Sequence, residues 1–416
     1  MRRTAELLKN EPRARVFFTV LAQSALGNGA AYVALLVIAY ERFESAWALG
    51  LVLLADLVPA MLLGPVFGAA ADRWSRRNCM VAADALRAGA FLAITLVDGF
   101  GATLALALVA GIGTGLFTPA ALAAVPSLVE PARAPAATAL YGAIADVGFI
   151  LGPAIAAIVL LAGGPETILL INALTFALSG LVLLGIRFGE APAPVAVGGP
   201  RASLLGEARH GVGLIVRMVG IRAVVAASAA MLLFAGLFNV AELPFVQDEL
   251  SGGDAGFAAL VAIYGLGFVG GSLSGGRGGT PIELKRRFLA GLAVVSAGFL
   301  AAGAAPGVLV ACLGFVVAGI GNGLILVYER LLIQTIVPDE LMGRAFGVKD
   351  GLTAWTFAAA FVAAGGLVEV LGPRSVVLVA GVGGLLVWLG SSVALRGAWE
   401  QAPADGVRAN EQAVPT

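Results

Sequence analysis

Phe288 to Tyr328 reads FLAGLAVVSAGFLAAGAAPGVLVACLGFVVAGIGNGLILVY, 41 residues without a charged side chain. As one helix it would run about 61 Å, twice a hydrocarbon core of about 30 Å. Ala305-Pro306-Gly307 interrupts it near the middle. The stretch therefore reads as two membrane-crossing helices joined by a tight turn.

The same reading, carried outward, finds twelve spans. They are 16–40, 46–71, 78–97, 102–128, 138–161 and 167–186, then 223–246, 255–276, 288–304, 307–328, 345–371 and 375–395. The third is long enough only if it takes Asp84 and Arg87 into the bilayer. Arg2 and Arg3 precede an apolar stretch, but 16–40 is longer than the 7–15 residues of a signal core, so a retained first helix is expected.

Composition agrees. Of 416 residues 12% are charged, where a soluble domain carries about 25%. Hydrophobic residues make up 59%, and there are 57 glycines. These values exclude a soluble enzyme, a nucleic-acid binder, a disulfide scaffold and a disordered chain. Net charge is zero, so no attraction to polyanions is expected. Cys79 and Cys312 suggest no disulfide, and the one histidine, His210, lies in a polar stretch, so no metal or other cofactor is expected. There is no phosphate loop, nucleophile elbow, zinc-binding helix motif or dinucleotide fingerprint, which argues against an enzyme and against direct use of ATP.

Cations set the orientation. Of 26 Lys and Arg, only Arg42 and Arg374 fall in the odd-numbered loops, where Asp98, Glu166, Asp248, Glu249 and Asp254 also lie, and Arg87 and Arg330 fall within spans. Both termini are expected in the cytoplasm, with the chain in the cytoplasmic (inner) membrane of a prokaryote. The longest polar interruption, 188–221, is read as a cytoplasmic linker. Its Leu204, Leu205, Ala208, Val212 and Ile215 share one face of an interfacial helix. This divides the chain into six-helix bundles at 1–187 and 222–396, with a disordered tail expected over 397–416.

The halves resemble each other. Gly111-Ile-Gly-Thr-Gly-Leu116 returns 208 residues later as Gly319-Ile-Gly-Asn-Gly-Leu324, and each is followed by a Pro/acid/Arg loop (126–133 and 338–344). A parallel repeat about an axis along the membrane normal belongs to rocking transporters with a site between the halves.

The loop after the second span reads Gly68-Ala-Ala-Ala-Asp72-Arg73-Trp74-Ser75-Arg76-Arg77. It resembles the signature of the major facilitator superfamily, G-x-x-x-D-R-x-G-R-R/K, with Ser75 in place of the second glycine. The fifth span carries Gly148-Phe-Ile-Leu-Gly152-Pro153, similar to the family's antiporter motif G-x-x-x-G-P-x-x-G-G, with Ala156 and Ala157 for the last glycines. A packing kink explains those residues almost as well. Residues 72–87 and 328–344 resemble the branch holding enterobactin exporters and macrolide efflux proteins. The resemblance implies an all-α membrane fold of two pseudo-symmetric six-helix bundles. It also implies that Gly68, Asp72, Arg73, Arg76 and Arg77 latch the cytoplasmic side.

Charges within spans are costly, about 2.5–3.5 kcal/mol each at a helix centre. Asp84 and Arg87, three apart, are read as an intramembrane ion pair. Glu329, Arg330, Lys349 and Asp350 are read as gate or interface contacts. Asp56, Asp146 and Glu242 lie mid-span without a local counter-ion and are the candidates for proton coupling, since a desolvated carboxyl holds a proton at ordinary pH. Asn28, Asn239 and Asn322 are mid-span amides on helices that line the family's cavity, and Tyr32 and Phe238 would add apolar surface there. The expected function is export of an amphipathic small molecule, drug- or siderophore-like, in exchange for protons, by a monomer among membrane lipids. An importer or uniporter of the same fold and a non-transporting sensor remain as alternatives.

Overall fold

The computed structural model describes residues 9–62, 67, 74–186, 188, 213, 217–274 and 278–399. Among them are twelve long helices. The first six are α1 (Pro12–Phe43), α2 (Ala46–Leu62), α3 (Arg76–Ile94), α4 (Phe100–Ala124), α5 (Ala134–Leu160) and α6 (Pro165–Gly185). The second six are α7 (Val219–Pro244), α8 (Gly253–Leu273), α9 (Pro281–Gly303), α10 (Val308–Ile336), α11 (Asp339–Leu371) and α12 (Pro373–Ala394). Ten stretches are long and apolar enough to cross a membrane by composition alone. The described part of α2 is short, and α3 carries Arg76, Arg77, Asp84 and Arg87. The expected linker helix, His210, Gly68, Asp72 and Arg73 lie outside the described residues.

Local chemistry sets the ends. Proline occupies the first turn of α5, α6, α9 and α12, where its missing N–H has no helical partner to lose. Thr280 and Glu283 form a capping box at the start of α9. Gly372, at φ +81°, makes the reversal between α11 and α12. Helix α10 runs on to Ile336, past the apolar run that ends at Tyr328, because nothing breaks the backbone ladder until Pro338. Helix α11 likewise starts at Asp339 rather than 345.

Helix α1 packs on α5 and α6, α3 on α4 and α6, and α2 on α4. In the second set α7 packs on α11 and α12, α9 on α10 and α12, and α8 on α10, the same scheme moved on by six helices. Helices α2 with α11, and α5 with α8, join the two halves.

The repeat holds to single residues. A Cβ on Gly111 would strike the carbonyls of Ala55 and Asp56 on α2, and one on Gly319 would strike the Tyr264 carbonyl on α8. Gly113 admits the Arg87 side chain from α3, and Gly321 admits Val295 from α9. Gly152 lies on Gly29 between α5 and α1, as Ala360 lies on Gly236 between α11 and α7. Each partner is displaced by 207 or 208 residues from its counterpart.

On the side of the molecule away from the α6–α7 connection, each half also carries a clamp. Arg42 at the end of α1 binds Glu166 on α6 at 2.9 Å and the carbonyls of Ile94 and Val97 at 3.0 and 2.5 Å. In the second half Arg374 at the start of α12 binds Glu249 after α7 at 3.2 Å and the carbonyls of Gly303 and Ala305 at 2.9 and 2.8 Å. Arg42 matches Glu249 in the repeat, and Glu166 matches Arg374. The clamp is the same with its charges exchanged. Its geometry accounts for the two arginines that break the cation bias of the loops.

Candidate functional site

The seam between the halves gathers polar side chains from five helices. Tyr32 of α1 lies within electrostatic reach of Asp56 of α2, Glu242 of α7 and Tyr264 of α8. The Asn322 side chain of α10 lies beside Tyr264. Asp56, Tyr32, Tyr264 and Asn322 are half-buried, and Glu242 is 6% exposed. Helical spacing adds two amides: Asn28 lies one turn before Tyr32 on the same face, and Asn239 one turn before Glu242; both are half-buried. Three of the five polar helices come from the second half, so the cluster exists only where the halves meet.

Other candidates lie elsewhere. Phe238 is 2% exposed and stacks on Phe299 at 4.4 Å, with Phe315 at 5.2 Å. Its ring is spent on packing inside the second half and presents no wall to a cavity. Asp146 of α5 is exposed and lies within electrostatic reach of Arg330 on α10, across the seam from it. Gly148 brings the α5 backbone onto Ala25, and Gly152 onto Gly29, so this motif sets the approach of α5 to α1, and Pro153 follows inside the same helix.

Asp84 and Arg87 do pair, and both are buried. The Arg87 guanidinium sits over the rings of Phe117 and Phe176, 4.4 and 4.1 Å from their centres. Arg76 donates to the Ala123 carbonyl at 2.7 Å, tying α3 to α4. Arg77 reaches the Leu184 carbonyl on α6 at 3.5 Å. Ser75 is the N-cap of α3, accepting from the Asn78 N–H at 3.1 Å. A serine thus closes the loop where the motif has glycine.

The halves touch on the side away from the α6–α7 connection. The Tyr40 hydroxyl of α1 donates to Asp248 after α7, and the Ser45 hydroxyl donates to Glu369 of α11 at 2.9 Å. Glu41 of α1 lies beside Asp254 of α8 across the seam, and burial with that second carboxyl nearby favours the protonated form of Glu41. Trp47 of α2 lies against Gly365 and Gly366 of α11. This side is shut.

The model of the family described as Major Facilitator Superfamily matches residues 17–348. The chain belongs to the Major Facilitator Superfamily. The multidrug efflux pump Tap of Mycobacterium tuberculosis is 28% identical over 383 residues, covering 88% of this chain and 90% of Tap. Among solved structures, an inward-facing bacterial homologue of the lysosomal transporter Spinster superposes with a TM-score of 0.71 at 16% identity, over 94% of this chain and 100% of that one. A D-xylose–proton symporter gives 0.71 at 14%, over 93% and 98%. At such identities the structures establish the major facilitator fold alone. Membership of the superfamily makes the chain a multi-span membrane transporter and not an enzyme.

Sequence reading missed Tyr264. A tyrosine in an apolar span raises no flag, yet the repeat pointed to it, since it stands 208 residues after Asp56.

Proposed function

We propose that this chain exports amphipathic small molecules, drug- or siderophore-like, in exchange for protons by alternating access. One observation carries the reading: a carboxyl from each half, Asp56 and Glu242, converges on Tyr32 at the seam. An acid at a seam is exposed to each side in turn as the halves rock, and a carboxyl removed from water exchanges its proton within reach of ordinary pH. Substrate and proton then compete for one cluster, which obliges them to move in opposite directions. Tyr32, Tyr264, Asn28, Asn239 and Asn322 supply the mixed aromatic and amide surface for an amphipathic ligand. The name of Tap as a multidrug efflux pump supports the direction.

The excess of cations puts the termini and the linker in the cytoplasm. The shut side is then external, and the site loads from within, as an exporter requires. Arg73, Arg76 and Arg77 with Asp72 and Gly68 form the cytoplasmic latch of the opposite state. The chain works as a monomer among the lipids of the cytoplasmic membrane.

Proteoliposome flux tests this, with substrates drawn from antibiotics, dyes and siderophores. The expected result is substrate movement against the proton flow, lost in Asp56→Asn or Glu242→Gln. Movement along the proton flow marks an importer, and indifference to the gradient a uniporter. Full gradient-driven flux in Asp56→Asn, Asp146→Asn and Glu242→Gln alike would overturn the coupling assignment.

A further inference from the structure

Helix α7 turns Glu242 toward the seam, lays Gly236 against Ala360 of α11 and sets Phe234 against Gly383 of α12. At 3.6 residues per turn this leaves Ala230 and Leu233 on the outer face, between α11 and α12. In the first half Gly148 of α5 lies on Ala25 of α1 and closes the matching place. Their counterparts 208 residues on are Thr356 and Leu233, whose larger side chains hold α11 off α7 there. The result is a groove of about 390 Å³, lined by Ala229, Ala230 and Leu233 of α7 and by Trp355, Thr356 and Ala359 of α11. It opens toward the bilayer, because Leu352, Val362 and Val370 on the same face of α11 are all exposed and apolar.

Trp355 lies three residues from the centre of the apolar stretch Ala345–Leu371, about 5 Å along the axis. Membrane tryptophans gather instead at the two interfaces, where the ring N–H meets water and headgroups. This indole is 65% exposed near mid-bilayer, and among the described residues no acceptor pairs with its N–H. The Thr356 hydroxyl is already donated to the Leu352 carbonyl of its own helix at 2.8 Å. Lipid chains cannot answer the indole, since at this depth they offer only methyl and methylene groups. We propose that the groove binds a small aromatic molecule dissolved in the bilayer, its apolar body on Ala229, Ala230 and Leu233 and its carbonyl oxygen accepting from the Trp355 N–H. The volume suits a ligand of drug size. The site lies on the flank of α7 turned away from the polar cluster at the seam, and it involves neither a proton nor transport.

Benzophenone provides the test, because it has this chemistry and attaches to neighbouring C–H groups under ultraviolet light. The full chain is irradiated in liposomes containing benzophenone, and the labelled peptides are mapped by mass spectrometry. Labelling is expected to concentrate on 229–233 and 355–359 and to saturate as benzophenone is added. Trp355→Phe keeps a ring and removes the donor, so half-saturation should need about fivefold more benzophenone, the worth of one hydrogen bond. Ala230→Leu, which fills the groove, should abolish the labelling. Diphenylmethane, two rings without the carbonyl, should compete poorly. Labelling spread evenly over the lipid-facing helices, or rising without saturation, overturns the proposal and leaves the groove to acyl chains. So does a half-saturation point unmoved in Trp355→Phe, which decides the matter even if Ala230→Leu does not fold. Irradiation uses no gradient and no transported substrate, so its outcome is separate from that of the flux measurements.

Discussion

At Gly152 the separation of two helices is fixed by the absence of a methyl group. A Cβ there would lie 2.5 Å from the carbonyl carbon of Gly29 and 2.6 Å from the nitrogen of Ala30, so α1 and α5 would have to part. Backbone yields less readily than side chains, and overfilling a packed contact costs about 1–3 kcal/mol. Gly152→Ala should lower thermal stability in detergent by that order. Gly142→Ala, ten residues earlier with nothing within 4 Å, should cost nothing and gain slightly from helix propensity. Equal melting of the two variants would remove the packing role. The sequence showed a glycine motif here but could not tell packing from transport. Likewise Phe238 looked the same whether its ring faced a cavity or the stack on Phe299. Asp56 and Glu242 were legible because a carboxyl in an apolar span has to be accounted for, and Tyr264 was not because a tyrosine does not.

Among elements, the two clamps set how α1 and α6, or α7 and α12, end together. Arg42→Glu should destabilise the first half, through like charges at Glu166 and two carbonyls left without a donor. Arg42→Glu/Glu166→Arg should recover most of the melting temperature, because the second half already holds its clamp in that polarity. The ion pair itself is partly exposed and contributes at most about 1 kcal/mol. Most of the recovery therefore reflects restored carbonyl contacts, and a double variant no better than the single would sink the equivalence. The span pattern was readable because a bilayer demands about 20 apolar residues and the chain supplies them. Helix ends at Ile336 and Asp339 were not, since a helix continues into water until a proline stops it.

In the molecule as a whole, one contact at the shut side depends on a proton. Burial and the neighbouring Asp254 raise the Glu41 carboxyl above its ordinary value, so raising the pH leaves two carboxylates in repulsion across the seam. Arg42 and Glu166 lie beside Glu41 and oppose each other's influence. Spin labels on the ends of α1 and α8 at this side should report a longer distance at alkaline pH, and Glu41→Gln, which removes the titrating charge, should abolish the change. A distance indifferent to pH in the parent would show that Tyr40–Asp248, Ser45–Glu369 and the Trp47 contact hold the gate unaided. The division into halves was visible in sequence through Gly111 and Gly319. Which helices meet across the division was not, because an apolar stripe does not name its partner.

The exchanged polarity of the two clamps also bears on assembly. If α12 took the seat of α6 beside α1, Arg42 would confront Arg374, and α6 beside α7 would set Glu166 against Glu249. Halves similar enough to trade helices thus carry an electrostatic address on each terminal turn. A chain threading into the bilayer would be turned away from the wrong bundle by repulsion before its apolar faces could settle there.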